Sequence, residues 1–229
     1  MTSIGMWRIA LLLVLVGALP GCSADDATDW PGPAFDGPAV YVSAAMGSES
    51  GHGDLSDPVN SVAAAFKLAT SGDTIVIATG TYSESVSLPV DVGMKGAGSG
   101  ETRIEPDHGQ SGVTVGKNGG KIRLEGLTVH GATGFGISAL VEQLGLVDVE
   151  VTGCRKWPGK PGTGHGVQVV GAHALVMESC SIRSNEGVGV VAEQVAWVRI
   201  GDPTYTGSPR HDGVATALQD FTPASGVTW

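Results

Sequence analysis

The chain has 229 residues, 36 of them Gly, with 16% charged side chains and a formal net charge of −10. This composition fits a turn-rich β protein and not a helical bundle, which is built on Ala, Glu, Lys and Leu. The acidic balance argues against a nucleic-acid partner, because neutralising phosphates requires a basic face.

The first segment stands apart from the expected fold. Arg8 and the amino terminus precede an apolar run, Ile9 to Leu19, that is too short to span a bilayer comfortably and reads as the core of a signal peptide. Leu19-Pro20-Gly21-Cys22 resembles the bacterial lipobox, in which the Cys thiol is acylated and becomes the new N-terminus. The resemblance implies a lipoprotein signal over residues 1–21, lipidation at Cys22 and the membrane as a partner. An ordinary cleaved signal with an incidental Cys is the alternative. Ser23 in place of Asp resembles lipoproteins sent on to an outer membrane, so the implied location is the cell envelope, outer membrane ahead of inner. Residues 22–38 carry Asp, Pro and Gly with little apolar content and read as a flexible tether.

Tyr41-Val42-Ser43 begins the patterned region, followed by a polar loop from Gly47 to Asp57. The spacing of Val62, Ala65, Phe66 and Ala69 predicts a short helix with one apolar face. Gly72-Asp73-Thr74-Ile75 leads through four residues to Gly80-Thr81-Tyr82.

Beyond these elements the sequence repeats. Ile122 recurs as Leu144, Leu124 as Leu146, Leu127 as Val149 and Val129 as Val151, each 22 positions on. The same template returns 31 positions later at Leu175, Met177, Cys180 and Ile182, and more weakly 20 positions after that at Val195, Trp197 and Ile200. A second, Gly-opened strand runs between the copies: Gly112 to Val115, Gly136 to Ala139, Gly166 to Val169 and Gly187 to Val190, offset by 24, 30 and 21. Passes of about 20 to 24 residues with short strands and Gly-, Asn- or Asp-containing turns are the unit of a β-solenoid. One pass cannot bury its apolar side. Stacking passes about 4.8 Å apart pairs each strand with those above and below and aligns like residues in inward columns. Leu127, Val149 and Cys180 form one such column. Cys180 is therefore expected to be a core residue, and Cys154, five positions past Val149, is badly placed for a disulfide with it.

The opening from Tyr41 to Tyr82 is similar to that of many pectin-lyase-like β-helix proteins: a YVS strand, a polar loop, a short helix, then GDTI-x-x-x-x-GTY. With the repeats, the resemblance implies an all-β, right-handed parallel β-helix over residues 39–201 with a short N-terminal capping helix. That family spans lyases, hydrolases, esterases, epimerases, adhesins and non-catalytic members, so the resemblance speaks to fold and not to activity. Periodicity is expected to stop after Ile200. Residues 202–229 read either as an irregular cap, with Val214 to Phe221 as its apolar face, or as the tail of a truncated, longer β-helix. The second is preferred because related proteins carry more coils.

Two places carry candidate chemistry. Thr128, Glu150 and Ser181 should share an outward column, beside His130, Thr152 and Arg183. Glu150 then lies diagonally, about 8 Å by backbone, from His130 on one side and Arg183 on the other. Those three residues are the weak catalytic candidates; an ordinary diagonal ion pair on a solvated face is the stronger alternative. The second place is the long turn Gly153 to His165, about nine residues longer than its counterpart in the preceding repeat. Arg155, Lys156 and Lys160 can pair with uronate carboxylates, and Trp157 supplies a flat face for a sugar, so these four are the ligand-binding candidates. A Trp packed down on the coil is the competing reading. No zinc-type spacing, Ser-His-Asp signature or nucleotide loop is present, and no metal or cofactor is expected.

The preferred expectation is a surface binding or structural module of the cell envelope, with polysaccharide as its ligand. The alternative is a polysaccharide-active enzyme, a lyase or hydrolase of uronate-containing glycans, which needs a carboxylate cluster or a cation and a base.

Overall fold

The computed structural model describes residues 35, 37–89, 91–116, 120–201, 204–206, 214–215 and 220–221. Cys22, the signal segment and most of the expected tether lie outside them. The strands are β1 (Ala39–Val42), β2 (Thr74–Ile77), β3 (Gly80–Tyr82), β4 (Val86–Leu88), β5 (Gly93–Lys95), β6 (Thr102–Ile104) and β7 (Val113–Val115). Longer ones follow: β8 (Lys121–His130), β9 (Phe135–Ala139), β10 (Gln143–Thr152), β11 (His165–Val170) and β12 (Ala174–Glu178). The series ends with β13 (Ser181–Arg183), β14 (Val190–Glu193), β15 (Trp197–Gly201), β16 (Thr204–Thr206), β17 (Val214–Ala215) and β18 (Asp220–Phe221). One helix, α1 (Val62–Leu68), stands between β1 and β2; Ser61 caps it, its hydroxyl accepting the Ala64 N–H.

The chain is thus mostly strand, and the strand pairings are parallel. One sheet runs β1-β2-β5-β8-β10-β12-β15-β18, with β3, β6, β13 and β16 alongside, and the other runs β17-β14-β11-β9-β7-β4. Each pass of the chain visits the first sheet, crosses to the second and returns. Leu124 lies opposite Leu146, Leu127 opposite Val149 and Val129 opposite Val151. Leu146 in turn lies opposite Met177, and Val151 opposite Ile182. All of these side chains, and Cys180, are buried in one apolar core.

Left-handed residues recur at matching positions and shape the bends. Gly126, Asp148 and Ser179 have φ of +63°, +50° and +52°. They split what would be one straight strand into two segments at an angle. The bend accounts for Asp148, a residue type that tolerates this region. Asp148 also accepts the Ser99 N–H at 3.1 Å, which ties the Gly96 to Gly100 turn over the outer face. Thr128 accordingly points outward yet is buried, its hydroxyl accepting the Gly100 N–H at 3.0 Å.

At a second corner the reason for Gly is space. A Cβ on Gly112 would lie 2.4 Å from the carbonyl oxygen of Gly136; one on Gly136, 2.6 Å from that of Gly166; one on Gly166, 2.6 Å from that of Gly189. The backbones of successive passes approach too closely there for any side chain, which explains the Gly at this corner of β7, β9 and β11.

Three sequence expectations need correction. The fourth template copy is out of register: Leu175 lies opposite Val198 and Met177 opposite Ile200, 23 positions on instead of 20. Trp197 is opposite Ala174, so Val198 and Ile200, both buried, continue the core columns. In the second sheet Val167 lies opposite Val190, again 23 positions on instead of 21. The alternating Gly187-Val188-Gly189-Val190 allowed a two-residue slip that leaves the inward face unchanged. Residue 201 is also not the end of the pairing. Ser181 lies opposite Thr204, Val190 opposite Val214 and Trp197 opposite Asp220, which is one further parallel pass at offsets of 23 and 24. Its strands are two or three residues long, too short to show periodicity.

Candidate functional site

The outward columns fall where the spacing put them. Glu150 lies opposite Thr128 on one side and Ser181 on the other; Thr152 lies opposite His130 and Arg183. Arg183 reaches diagonally to Glu150 and forms an ion pair with it. Glu150 also receives the Thr128 hydroxyl at 3.4 Å. His130 is not a second cation for Glu150. Burial and the nearby Arg103 guanidinium hold its pKa below the ordinary value, and its Nδ1 has no hydrogen-bond partner. Arg103 itself pairs with Glu105, two positions on in the same chain segment. The face therefore presents one diagonal ion pair, Arg183 with Glu150, and one along a single chain segment, Arg103 with Glu105, beside a neutral imidazole. Glu150 is thus held by Arg183 and the Thr128 hydroxyl.

The long turn is built differently. It begins where Cys154 donates its N–H to Asn185 at 3.0 Å and Lys156 donates its N–H to Glu186 at 2.9 Å. Thr133 and Arg155 form a parallel bridge. Trp157-Pro158-Gly159-Lys160 is then a tight turn, closed by the Lys160 N–H on the Trp157 carbonyl at 3.0 Å. Pro at its second position and Gly159 at its third, with φ of +74°, give the type II pattern. The Thr163 hydroxyl accepts the Trp157 N–H at 3.0 Å and donates to the Lys160 carbonyl at 2.8 Å, bracing the turn from below.

Trp157 folds down onto neighbouring passes. Its indole N–H donates to the Gly109 carbonyl at 3.2 Å, and a Cβ on Gly134 would touch its six-membered ring at 3.0 Å. Phe135 meets it at 90° with ring centroids 6.5 Å apart, and His165 lies 5.9 Å from Phe135. Lys160 Nζ rests 4.8 Å from the Trp157 ring centroid. The His165 Nδ1 accepts the Val188 N–H at 2.8 Å, and burial lowers its pKa, so it too is a neutral, structural imidazole. Phe135 and His165 escaped the sequence reading, although the 30-residue offset that aligns Gly136 with Gly166 also aligns them.

The charge distribution separates the two places. Lys95, Arg103, Arg123, Arg183 and Arg199 are each in an ion pair with a Glu. Among the described residues Arg155, Lys156 and Lys160 have no such partner, and all three are exposed. Glu125 and Glu178 share a column with Val147 between them, and each is held by its own Arg. A cleft of about 550 Å³ opens elsewhere, lined by Phe35, Asp73, Asp91, Lys121 and Glu142 among others. Two of its carboxylates are engaged by backbone, Asp73 accepting the Thr70 N–H and Asp91 the Lys121 N–H. No group of His, Cys, Asp and Glu among the described residues could hold a metal ion. Cys154 and Cys180 are buried, unlinked thiols, pushed up to about 12 by desolvation, so neither is a nucleophile.

No protein-family model matches the chain, and no curated protein does. Among solved structures, a rhamnogalacturonan lyase is similar with a TM-score of 0.37 and 13% identity, over 82% of this chain and 66% of that one. The chain thus spans just under two thirds of that structure. At this distance the fold is read from the strand registers themselves.

Proposed function

We propose that the chain is a right-handed parallel β-helix, capped at its N-terminal end by α1, that serves as an envelope-anchored module binding acidic polysaccharide through the turn 153–165. The β-helix reading is supported by passes of 22 to 31 residues that return in parallel register to the same two sheets. Crossovers between parallel strands of one sheet are right-handed almost without exception. Val62 and Ala65 turn into the core from α1, as a cap would. The single observation that carries the binding reading is three cations in one turn with Trp157, namely Arg155, Lys156 and Lys160, which have no ion-pair partner among the described residues of a chain of net charge −10, whereas among the other described cations only Lys67 and Lys121 are likewise without one. Ring and cations together suit a sugar bearing a carboxylate. The enzymatic alternative has less behind it, because Glu150 is committed to Arg183 and His130 is held neutral.

The test is a glycan array of uronate-containing and neutral oligosaccharides, run beside an absorbance assay for unsaturated uronate. Trp157→Ala and Lys156→Ala should each weaken a bound glycan by about 1–3 kcal/mol, the usual range for an anchor residue. Retained affinity in both removes the turn from consideration, and release of unsaturated product overturns the module in favour of a lyase. Anchoring is tested separately. Cys22→Ala should move the chain from the detergent phase to the aqueous phase, and unchanged partitioning counts against acylation.

A further inference from the structure

We infer that Lys160 is the specificity-determining residue of this site, admitting carboxylate-bearing sugars and turning away neutral ones; the inference rests on the polysaccharide reading above. The type II turn returns Lys160 over the indole from which the turn starts, and Thr163 fixes both ends of that turn. The ammonium therefore occupies the Trp157 ring, 4.8 Å from its centroid. The indole N–H is already taken by Gly109, Gly134 backs the six-membered ring and Phe135 meets it at 90°. That leaves the ring surface under Lys160 for a ligand.

A sugar stacks on Trp157 only by displacing Lys160. For a neutral sugar the cation–π contact is lost with nothing in exchange, a penalty of about two- to fivefold in affinity for an exposed pair. A carboxylate on the sugar takes up the displaced ammonium, and Arg155 and Lys156 add to the attraction. Lys160 thus acts in opposite directions on the two ligand classes, which a merely structural or generally attractive lysine does not.

The experiment titrates the full chain with a galacturonate hexamer and with its fully methyl-esterified form, which keeps backbone and hydroxyls and removes only the charge. Wild type should bind the acid at least fivefold more tightly than the ester. Lys160→Ala should tighten the ester about two- to fivefold and weaken the acid by a similar factor. Lys160→Arg, which keeps a stacked cation, should restore the wild-type preference. If both probes bind and Lys160→Ala leaves their ratio unchanged, or weakens both alike, the inference falls and the binding reading stands. If wild type binds neither probe, both fall together.

Discussion

Gly136→Ala is expected to lower stability by about 3 kcal/mol, measured as a shift in the urea midpoint at constant slope. The added methyl has nowhere to go: it would lie 2.3 Å from Val151 Cγ1, 2.6 Å from the Gly166 carbonyl oxygen and 2.9 Å from Cys154 Sγ. A flexible side-chain end could yield, but the carbonyl belongs to the next pass and is fixed by the parallel ladder on both sides. Relief therefore requires two passes to move apart, which loosens pairing along the column as well as packing. Overpacking of a tight core commonly costs 1–3 kcal/mol, and a backbone obstacle puts this case at the upper end. Gly116→Ala is the control. No atom lies within 4 Å of its would-be Cβ. That substitution should be neutral or slightly stabilising through the unfolded chain. Equal effects at the two positions would show that the passes are not stacked as closely as the Gly112, Gly136 and Gly166 approaches require.

The columns that were legible in sequence are those in which large apolar residues repeat at an unambiguous offset. Leu124, Leu146 and Met177 differ in identity but not in size or spacing, and the 22- and 31-residue offsets between them reproduce the observed registers. Legibility failed where the pattern had its own short period. Gly187 to Val190 matches the preceding strand equally well at two alignments, so the 21-residue offset was read where 23 holds. It failed again in the last pass, where Thr204–Thr206, Val214–Ala215 and Asp220–Phe221 carry too few residues to show alternation. The candidate site was half visible. The cations and Trp157 stand out by composition, but the packing of Trp157 on Gly134 and beneath Lys160 depends on which passes lie next to the turn. Trp157 packs down on the coil through its bond to the Gly109 carbonyl, with Lys160 as its outer cover.

Asn185→Ala is expected to lower stability by about 2–4 kcal/mol and, unlike Gly136→Ala, to weaken glycan binding through the turn. Asn185 follows Ser184, whose φ of +55° repeats the left-handed corner of Gly131 and Gly153. It therefore occupies the inward position held by Ala132 and Cys154 in the two preceding passes, and it is 1% exposed. A polar side chain there is satisfied at both ends. Its Oδ1 accepts the Cys154 N–H at 3.0 Å and its Nδ2 donates to the Val151 carbonyl at 3.4 Å. Truncation leaves a void and removes both partners from backbone groups that water does not readily reach. An unsatisfied buried donor alone costs about 1–3 kcal/mol, before the lost packing is counted. The effect extends outward because Cys154 stands at the root of the turn that carries Trp157 and Lys160. With its amide released, the root keeps the Glu186 N–H on the Cys154 carbonyl at 2.9 Å, the Glu186 carboxylate on the Lys156 N–H and the Arg155 bridge to Thr133, none of which replaces the bond lost by the Cys154 N–H. Amide hydrogen exchange at Cys154 should accelerate far more than at Leu146 or Val149, which lie just before it in β10 on ladders Asn185 does not touch. An Asn185→Ala chain with unchanged exchange at Cys154 would show that the turn is anchored elsewhere. Uniform acceleration across β10 would show instead that the substitution acts through global stability alone.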